Sequence, residues 1–514
     1  MDAAQETVKE TSSRISDSHK ARLDKLENWK EKGVNPYAAT NFPVDAYAGE
    51  LQDIYKSLAD GETTEHTVHV AGRIMSNRNS GMFMDLLDHT GKIQIFSHKE
   101  HLDAKTLDAL KLFDMGDWIG VKGLVRRTPR GELTINAETI TILSKSLQPL
   151  PEKHHGLSDV EIRYRKRYID LTVNEESRET FKKRSKIMSS IRRVMDERGF
   201  LEFETPVLQS IAGGAIAKPF DTHHNALDIP LYLRIATELP LKKLIIGGVS
   251  NKVYEIGRIF RNEGISIKHN PEFTTIETYE AFADVNSAMQ LAEDIVIESC
   301  KAANNGSTKV FFGETEIDFA GPWPRYSMLD LVKEKTGLDF NTIETDEDAR
   351  KACKDKGIEI EDTYGWGKCL EAAFEEKVEH TLMQPTHVMN HPKEISPLAK
   401  ANLDNPRITD RFESFANGWE IANGFSELND PFDQYERFKD QASSREDGDE
   451  EAQMMDAEFV EALEFGMPPT AGLGVGLDRI TMLLTDSHNI RDVIAFPTLR
   501  PTDAQSIVEA LDKE

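Results

Sequence analysis

The sequence predicts an α+β protein in two units, and three observations carry that expectation. Between Val68 and Ile142 the chain runs through five short strand-like segments with one helical stretch among them. A proline-containing linker, LQPLPEKHHGLSD, occupies 147–159. Two hairpins rich in strand formers, at 252–281 and 411–428, then lie among amphipathic helices. With 514 residues the chain can bury two cores. The expected divisions are a helical segment over 1–64, a barrel over 65–148, a linker over 149–160 and a second unit over 161–514, with a polar helical insertion at about 341–385.

Taken in order, Leu23, Leu26 and Trp29 share a helical spacing before the break at Gly33 and Pro36, which predicts a helix packed on the next domain. The segments VHVAGRIM, MFMDLLD, KIQIF, DWIGVKGLVRRT and ELTINAETITIL, with a helical stretch near 101–113, describe an OB-fold barrel, a frequent oligonucleotide-binding module. Single-stranded bases are read by aromatic stacking and edge hydrogen bonds. Phe83 and Gln94 fall on neighbouring strands of that barrel, although Phe83 equally suits its core. Beyond the linker, Ile187, Met188, Ile191, Val194 and Met195 form one stripe of a helix that ends near Gly199. FLEFETPVL then reads as a strand with Pro206 at an edge, and REDGDEEAQ at 445–453 reads as a solvated loop.

Composition narrows the function. Hydrophobic content of 39% and charged content of 29% fit a globular protein, and no apolar run reaches membrane-spanning length. The N-terminal residues lack a signal-peptide or presequence pattern, so a cytoplasmic enzyme without membrane attachment is expected. Cys300, Cys353 and Cys369 are too few and too scattered for a disulfide framework or a zinc cluster. Adjacent His223 and His224 would point to opposite faces of a strand, which favours a structural role. The net charge of −27 opposes wholesale nucleic-acid binding. Local basic stretches at RYRKRY (163–168), KKRSK (182–186) and Arg192 with Arg193 either guide RNA or are solvated helix faces.

The hairpins carry the chemistry. After KVYEIGRIF comes Arg261, then a turn region with Asn262, Gly264, Asn270 and Pro271, then EFTTIETYEAF. Alternation puts Phe273, Thr275, Glu277 and Tyr279 on one face: a ring, a gap, a carboxylate and a phenol. That face suits a ligand pocket, or the wet side of an edge hairpin. In RFESFANGWEIANGFSEL, Asn417 and Gly418 suit a two-residue turn. That turn sets 415 opposite 420 and 413 opposite 422, and places Glu413 and Glu420 on a common face. Magnesium in nucleotide sites prefers one or two such carboxylates completed by phosphates and water, and an exposed acidic face is the alternative. In GLGVGLDR, Gly472, Gly474 and Gly476 alternate, so one strand face is bare and a ligand can approach the backbone.

These residues resemble a known family. FRNEG with HNPEFTTIETY is similar to motif 2 of the class II aminoacyl-tRNA synthetases in its lysyl-tRNA synthetase form. Residues 181–208, ending FLEFETPVL, resemble motif 1, and GLGVGLDRITML resembles motif 3. The resemblance runs from about residue 20 to the C-terminus. It implies a mostly antiparallel catalytic sheet flanked by helices, a homodimer through the motif 1 helix and strand, and substrates L-lysine, ATP and tRNA(Lys), with Mg2+ accompanying ATP.

Residue by residue, the resemblance assigns Arg261 and Arg479 to catalysis. It assigns Arg261, Glu263, His269, Asn270, Phe273, Glu413, Glu420 and Arg479 to ATP, with Glu413 and Glu420 holding magnesium. Gly214, Glu238, Arg261, Glu277, Tyr279, Asn423, Phe425, Glu427 and Gly474 are assigned to lysine, and Phe83, Gln94 and Glu132 to a uridine-rich anticodon. Since strict alternation would turn Asn423, Phe425 and Glu427 away from Glu420, a bulge is expected near Asn423 and Gly424.

Lysine carries two ammonium groups, so its pocket needs two anionic regions. Glu427 stands where an aspartate or asparagine pocket would need a cation or amide donor. Such a synthetase, a catalytically silent RNA-binding paralogue and a ligase that lysylates protein are the alternatives. A silent paralogue would have lost Arg261, Glu413, Glu420 or Arg479, and a protein ligase would lack the barrel.

Overall fold

The computed structural model describes residues 2–151, 157–215, 217–446 and 454–501, so part of the expected linker and most of the REDGDEEAQ segment lie outside the described residues. The chain divides into two compact units, one ending at Ser158 and the other beginning at Asp159.

In the first unit, helix Asp2–Glu31 lays Leu26 and Trp29 on a barrel, where the Trp29 ring meets Phe113 edge-on at 5.2 Å. Leu23 is exposed instead of sharing that stripe. The third position of the buried face belongs to Arg22, whose guanidinium donates to the Ser146 carbonyl at 3.0 Å. Strands β1 (Thr63–Arg78), β2 (Phe83–Leu87), β3 (Lys92–Phe96), β4 (Trp118–Arg127) and β5 (Leu133–Ser144) close in the order β1-β2-β3-β5-β4. Val70, Ile74, Met84, Ile95, Val121 and Ile135 fill the interior. Helix Ala104–Ala109, capped by the Asp103 carboxylate, sits between β3 and β4 in the chain.

The second unit contains strands β6 (Leu201–Glu202), β7 (Leu208–Gln209), β8 (Asp221–His224), β9 (Ile229–Leu233), β10 (Lys252–Phe260), β11 (Glu272–Ala281), β12 (Lys309–Phe312), β13 (Thr315–Asp318), β14 (Arg325–Ser327), β15 (Thr386–Met389), β16 (Arg411–Ala416), β17 (Trp419–Ser426) and β18 (Thr470–Gly476). Eight of them form one sheet in the order β14-β15-β16-β17-β18-β11-β10-β6. It is mostly antiparallel, with parallel pairs only at the two ends, β14 with β15 and β6 with β10. The glycine-bearing β18 lies between the two hairpins, pairing Glu277 with Gly474 on one side and Asn423 with Gly474 on the other. Three segments distant in sequence thereby share one sheet face.

Beneath the sheet, helices Glu175–Glu197 and Val285–Ala303 bury Ile187, Ile191, Val194 and Met195 with Ile295, Leu473 and Val475. The motif 1 stripe is therefore occupied within its own unit. The strand expected from FLEFETPVL is only two residues long at β6. Past it, the Thr205 amide and hydroxyl bind Glu255 at 3.0 and 2.6 Å, and Arg234 meets the same carboxylate at 2.5 Å. Helices Asp346–Asp355 and Trp366–Lys377 of the insertion have a separate core around Phe340, Leu370 and Phe374, which includes Cys353 and Cys369. All three cysteines are free and buried.

The basic stretches read as RNA guides are largely committed to this scaffold. Arg167 is buried and bound to Asp170 at 2.7 Å and to two carbonyls, and Arg163 also meets Asp170. Arg184 reaches Asp478 at 2.6 Å, while Arg192 and Arg193 pair with Glu202 and Glu298. His223 and His224 sit on β8 opposite Pro230 and Ile229, and no group of three or more His, Cys, Asp or Glu side chains placed to hold a metal occurs among the described residues. No helix among the described residues is long and apolar enough to cross a membrane.

Candidate active site

A cavity of about 430 Å³ opens over β11, β18 and β17, and every residue expected to bind ATP or lysine lines it. On β11, Phe273, Thr275, Glu277 and Tyr279 all face inward as alternation predicts.

The second hairpin differs from the expected geometry in one respect. Phe415 does pair with Glu420, but Glu413 pairs with Asn423 instead of Ala422. The extra residue is Ile421, so the bulge comes two positions before Asn423 and leaves the ladder regular through Asn423 and Gly424. A bulge at either place reverses the facing of the later strand residues. Here it lets Glu413, Glu420, Asn423 and Phe425 all reach the cavity.

The end near Arg479 is cationic and partly open. Arg479, in the first turn of helix Leu477–Leu484, donates to the Glu420 carbonyl at 2.8 Å and meets the Glu420 carboxylate at 3.3 Å and His269 Nε2 at 3.1 Å. Enclosure and the charges of Arg479 and Lys268 hold the His269 imidazole below its ordinary pKa. Asn270 is buried and donates to the Glu272 carbonyl at 2.6 Å, a bond that ties the turn to the strand. Glu263 stands exposed beside it. The Arg261 guanidinium lies 5.2 Å from the centre of the Phe273 ring. Burial lowers its pKa against the opposing pull of Glu263, Glu420 and Glu277.

The other end is acidic and closed. Glu238, Glu277, Tyr279 and Glu427 are all buried. Glu277 accepts from the Thr237 amide at 3.1 Å and from the Tyr279 hydroxyl at 3.4 Å. Burial, with Glu238 nearby, pushes Glu277 up to about 7. The same enclosure raises Tyr279 and Glu427. Gly214 adopts φ +86 beside Ala236 and Glu238 at the rim, a conformation that favours glycine.

The alternating glycines serve two purposes. A Cβ on Gly472 would collide with Glu427 Oε1, so this glycine makes room for a protein carboxylate. A Cβ on Gly474 or Gly476 would meet nothing closer than 3.8 Å, so those positions keep the cavity open.

Sequence reasoning missed three residues here. Arg411 donates to Glu413 at 2.6 Å and to the Asn423 side chain at 3.1 Å, and so orients both. Asp478 accepts from the Thr274 amide at 2.6 Å and pairs with Arg184, which locks β11 to the helix that carries Arg479. Lys242 is fully buried and binds Glu238 at 2.5 Å and also Glu427. Its i,i+4 spacing from Glu238 was the available signal.

In the barrel, Phe83 is half-buried and lies outside the hydrophobic interior, its ring 4.9 Å from Phe96. Gln94 pairs with Asp85 across β2 and accepts from Thr134 at 3.1 Å, and Glu132 is exposed beside the start of β5. Arg126 lies 5.1 Å from the Phe96 ring. The face thus offers rings, amides and a guanidinium to a strand of bases.

Comparison with known proteins agrees with both units. A family model described as tRNA synthetases class II (D, K and N) matches residues 159–500, and one described as an OB-fold nucleic acid binding domain matches residues 68–143. Over 491 residues the chain is 51% identical to a lysine--tRNA ligase of Sinorhizobium medicae, covering 96% of this chain and 98% of that one. It is 50% identical over 501 residues to a lysine--tRNA ligase of Syntrophomonas wolfei, covering 97% and 100%. A lysine--tRNA ligase of Agrobacterium fabrum is 50% identical over 495 residues, 96% of this chain and 99% of that one. With an OB-fold barrel, a class II sheet and these relatives, the chain belongs to the class II tRNA synthetases, in the lysine--tRNA ligase family.

Proposed function

We propose that the cavity activates L-lysine on ATP and passes the lysyl group to the 3′ end of tRNA(Lys), with the amine held at the acidic end and the triphosphate at the cationic end. The observation that carries this reading is that Arg261, over the Phe273 ring, lines one cavity with both the buried acids Glu238, Glu277 and Glu427 and the cationic group of His269 and Arg479. A lysine seated with its ammonium groups on Glu238, Glu277, Tyr279 and Glu427 would direct its carboxylate to that guanidinium.

The reaction joins two anions. A carboxylate oxygen attacks the α-phosphorus, a new O–P bond forms, the bond to the β-phosphate bridging oxygen breaks, and pyrophosphate leaves. The carboxylate is already ionised at neutral pH, so no general base is needed. The protein's work is positioning and neutralisation. Arg261 offers planar donors that bridge carboxylate and α-phosphate oxygens as charge shifts between them. In this reading Arg479 and His269 take the terminal phosphate, Phe273 the adenine face, and Glu263 its edge. In the second step the terminal ribose hydroxyl attacks the activated carbonyl and AMP departs.

Glu413 and Glu420 fit a magnesium ion bound with ATP. Both line the cavity, and enclosure followed by the Glu413 charge raises Glu420, as expected of two carboxylates awaiting a shared cation. Two carboxylates with phosphate and water is the donor set magnesium takes in nucleotide sites. When bound, the ion would neutralise phosphate charge. Arg411 holds Glu413 in place for it.

In the barrel, Phe83, Gln94 and Glu132 are assigned to the anticodon. Residues 1–64 support the barrel, and no chemistry is assigned to the 341–385 insertion. A homodimer would use the motif 1 segment 201–208, where Leu201, Val207 and Leu208 are exposed, and sedimentation of a Leu208→Glu variant measures that. Cytoplasmic residence suits a partner of translation. ATP–pyrophosphate exchange with each of the twenty amino acids tests the central reading. Exchange driven best by aspartate or asparagine, or by none, overturns it.

A further inference from the structure

We propose that Lys242 is a positioning residue for amino-acid selection: a permanent internal counter-ion, behind the pocket wall, that fixes Glu238 and Glu427 apart so that each offers an oxygen to the incoming diamine. The proposal rests on the assignment of the acidic end to lysine.

Lys242 does not compete for the substrate's place. It is 0% exposed and is not among the residues lining the cavity, whereas its partners Glu238 and Glu427 both line it. Its ammonium lies 5.5 to 5.9 Å from the ring centres of Phe425, Phe459 and Tyr279, so aromatic faces enclose it where carboxylates do not. Burial of this depth is costly for an amine unless anions meet it, and two do. Among the described residues, Glu427 Oε1 is buried without a hydrogen-bond partner, so one oxygen of that carboxylate remains for a donor from outside.

The charge count is the second argument. Glu238, Glu277 and Glu427 together bring three negative charges when ionised, and Lys242 cancels one. The remainder matches the two ammonium groups of lysine, while the substrate carboxylate is left to Arg261. Without Lys242, three acids would crowd one dry space. One would take up a proton, and the pocket would lose the spacing that separates a diamine from a monoamine.

The groups that face Lys242 or its partners are Glu238 on its own helix, Glu277 and Tyr279 on β11, Glu427 after β17, and Arg261 across the cavity. All enter the pH dependence of lysine use.

The test compares Lys242→Met with Glu427→Gln in ATP–pyrophosphate exchange. The expected result for Lys242→Met is a lysine KM raised at least tenfold, an ATP KM within twofold of the parent, and an acid limb of kcat/KM for lysine displaced to higher pH. Discrimination against norleucine, which lacks the side-chain ammonium, should fall as well. Lys242→Arg, which keeps the charge, should restore the position of the acid limb even where KM stays elevated. A lysine KM within twofold of the parent, or parallel loss of lysine and ATP use, overturns the proposal, the latter by reducing Lys242 to a prop for the sheet. If Lys242→Met does not fold, Lys242→Arg decides: a displaced acid limb in that variant refutes a role based on charge. Glu427→Gln separates the two claims. If it leaves the lysine KM unchanged, the site assignment itself fails. If it raises KM while Lys242→Met does not, only the counter-ion proposal fails.

Discussion

At the acidic end of the cavity Glu238, Glu277 and Glu427 are buried and already meet a lysine or a backbone amide, whereas at the cationic end Arg261, His269, Glu420 and Arg479 stand partly open, with Arg479 bound to both His269 and Glu420. The difference comes from what each ligand brings. A nucleotide arrives with its own charge, counter-ions and water, so its site can stay wet and adjust. An ammonium in a side-chain pocket must give up its hydration, and only anions held in place beforehand offset that loss. On the proposed assignment, selectivity would reside at the closed end and chemistry at the open one.

The comparison breaks most visibly at Arg261, the one group proposed to serve both ends. Arg261→Ala should lower the exchange rate about a thousandfold, the order expected when a principal transition-state donor is lost. A loss confined to the lysine KM would show that this residue belongs to the amine end alone. Glu427→Gln should lower kcat/KM for lysine about a hundredfold, as for a buried charge pair missing one partner, with the ATP KM nearly unchanged. Gly472→Ala drives a methyl into Glu427 Oε1 and should raise the lysine KM roughly twentyfold, consistent with about 1–3 kcal/mol of overpacking. Alanine at Gly474, where the nearest atom is 3.8 Å away, should chiefly narrow the cavity and be the milder change at the amine end.

A pH profile sharpens the contrast. With Glu277 pushed up to about 7, the empty pocket binds a proton below that pH, and an incoming diamine must displace it. Hence kcat/KM for lysine should fall about tenfold for each unit below 7 and level off above it, with proton release measurable by calorimetry in buffers of different ionisation enthalpy. The sign for stability is opposite. A carboxyl raised from 4.5 to about 7 costs the fold on the order of 3 kcal/mol once pH exceeds 7 and nothing below 4.5, so added lysine should raise Tm most on the alkaline side. The smallest expected effect is in the barrel. Phe83→Ala should raise the tRNA KM roughly fivefold, for about 1 kcal/mol of stacking, and leave pyrophosphate exchange intact.

How far the site could be read from sequence depended on whether a residue's role was local. Phe273, Thr275, Glu277 and Tyr279 were legible because a strand's period of two is strict. The bulge was legible as a necessity, since Glu420 and Asn423 had to share a face. Its position at Ile421 was not, because which residue is extruded depends on packing across the sheet. Lys242 was hidden in LPLKKL, where paired lysines resemble a solvated helix face; its spacing from Glu238 was a weak local signal, and the pairing with Glu427, far along the chain, could not be read. Arg22 misled for the mirror-image reason: a charged residue took the buried position while Leu23 faced solvent. The arginines of RYRKRY resembled an RNA-guiding stripe, yet Asp170 and the carbonyls of Arg491 and Ala495 bind Arg167.

The place of β18 at the centre of the sheet has a consequence for biosynthesis. Within the sheet the hairpins of β10–β11 and β16–β17 are joined by Thr470–Gly476, so a nascent chain cannot close the sheet across the pocket until this last strand has been made. Until the glycine strand is made, the two halves of the pocket have no common sheet on which a substrate could hold them together.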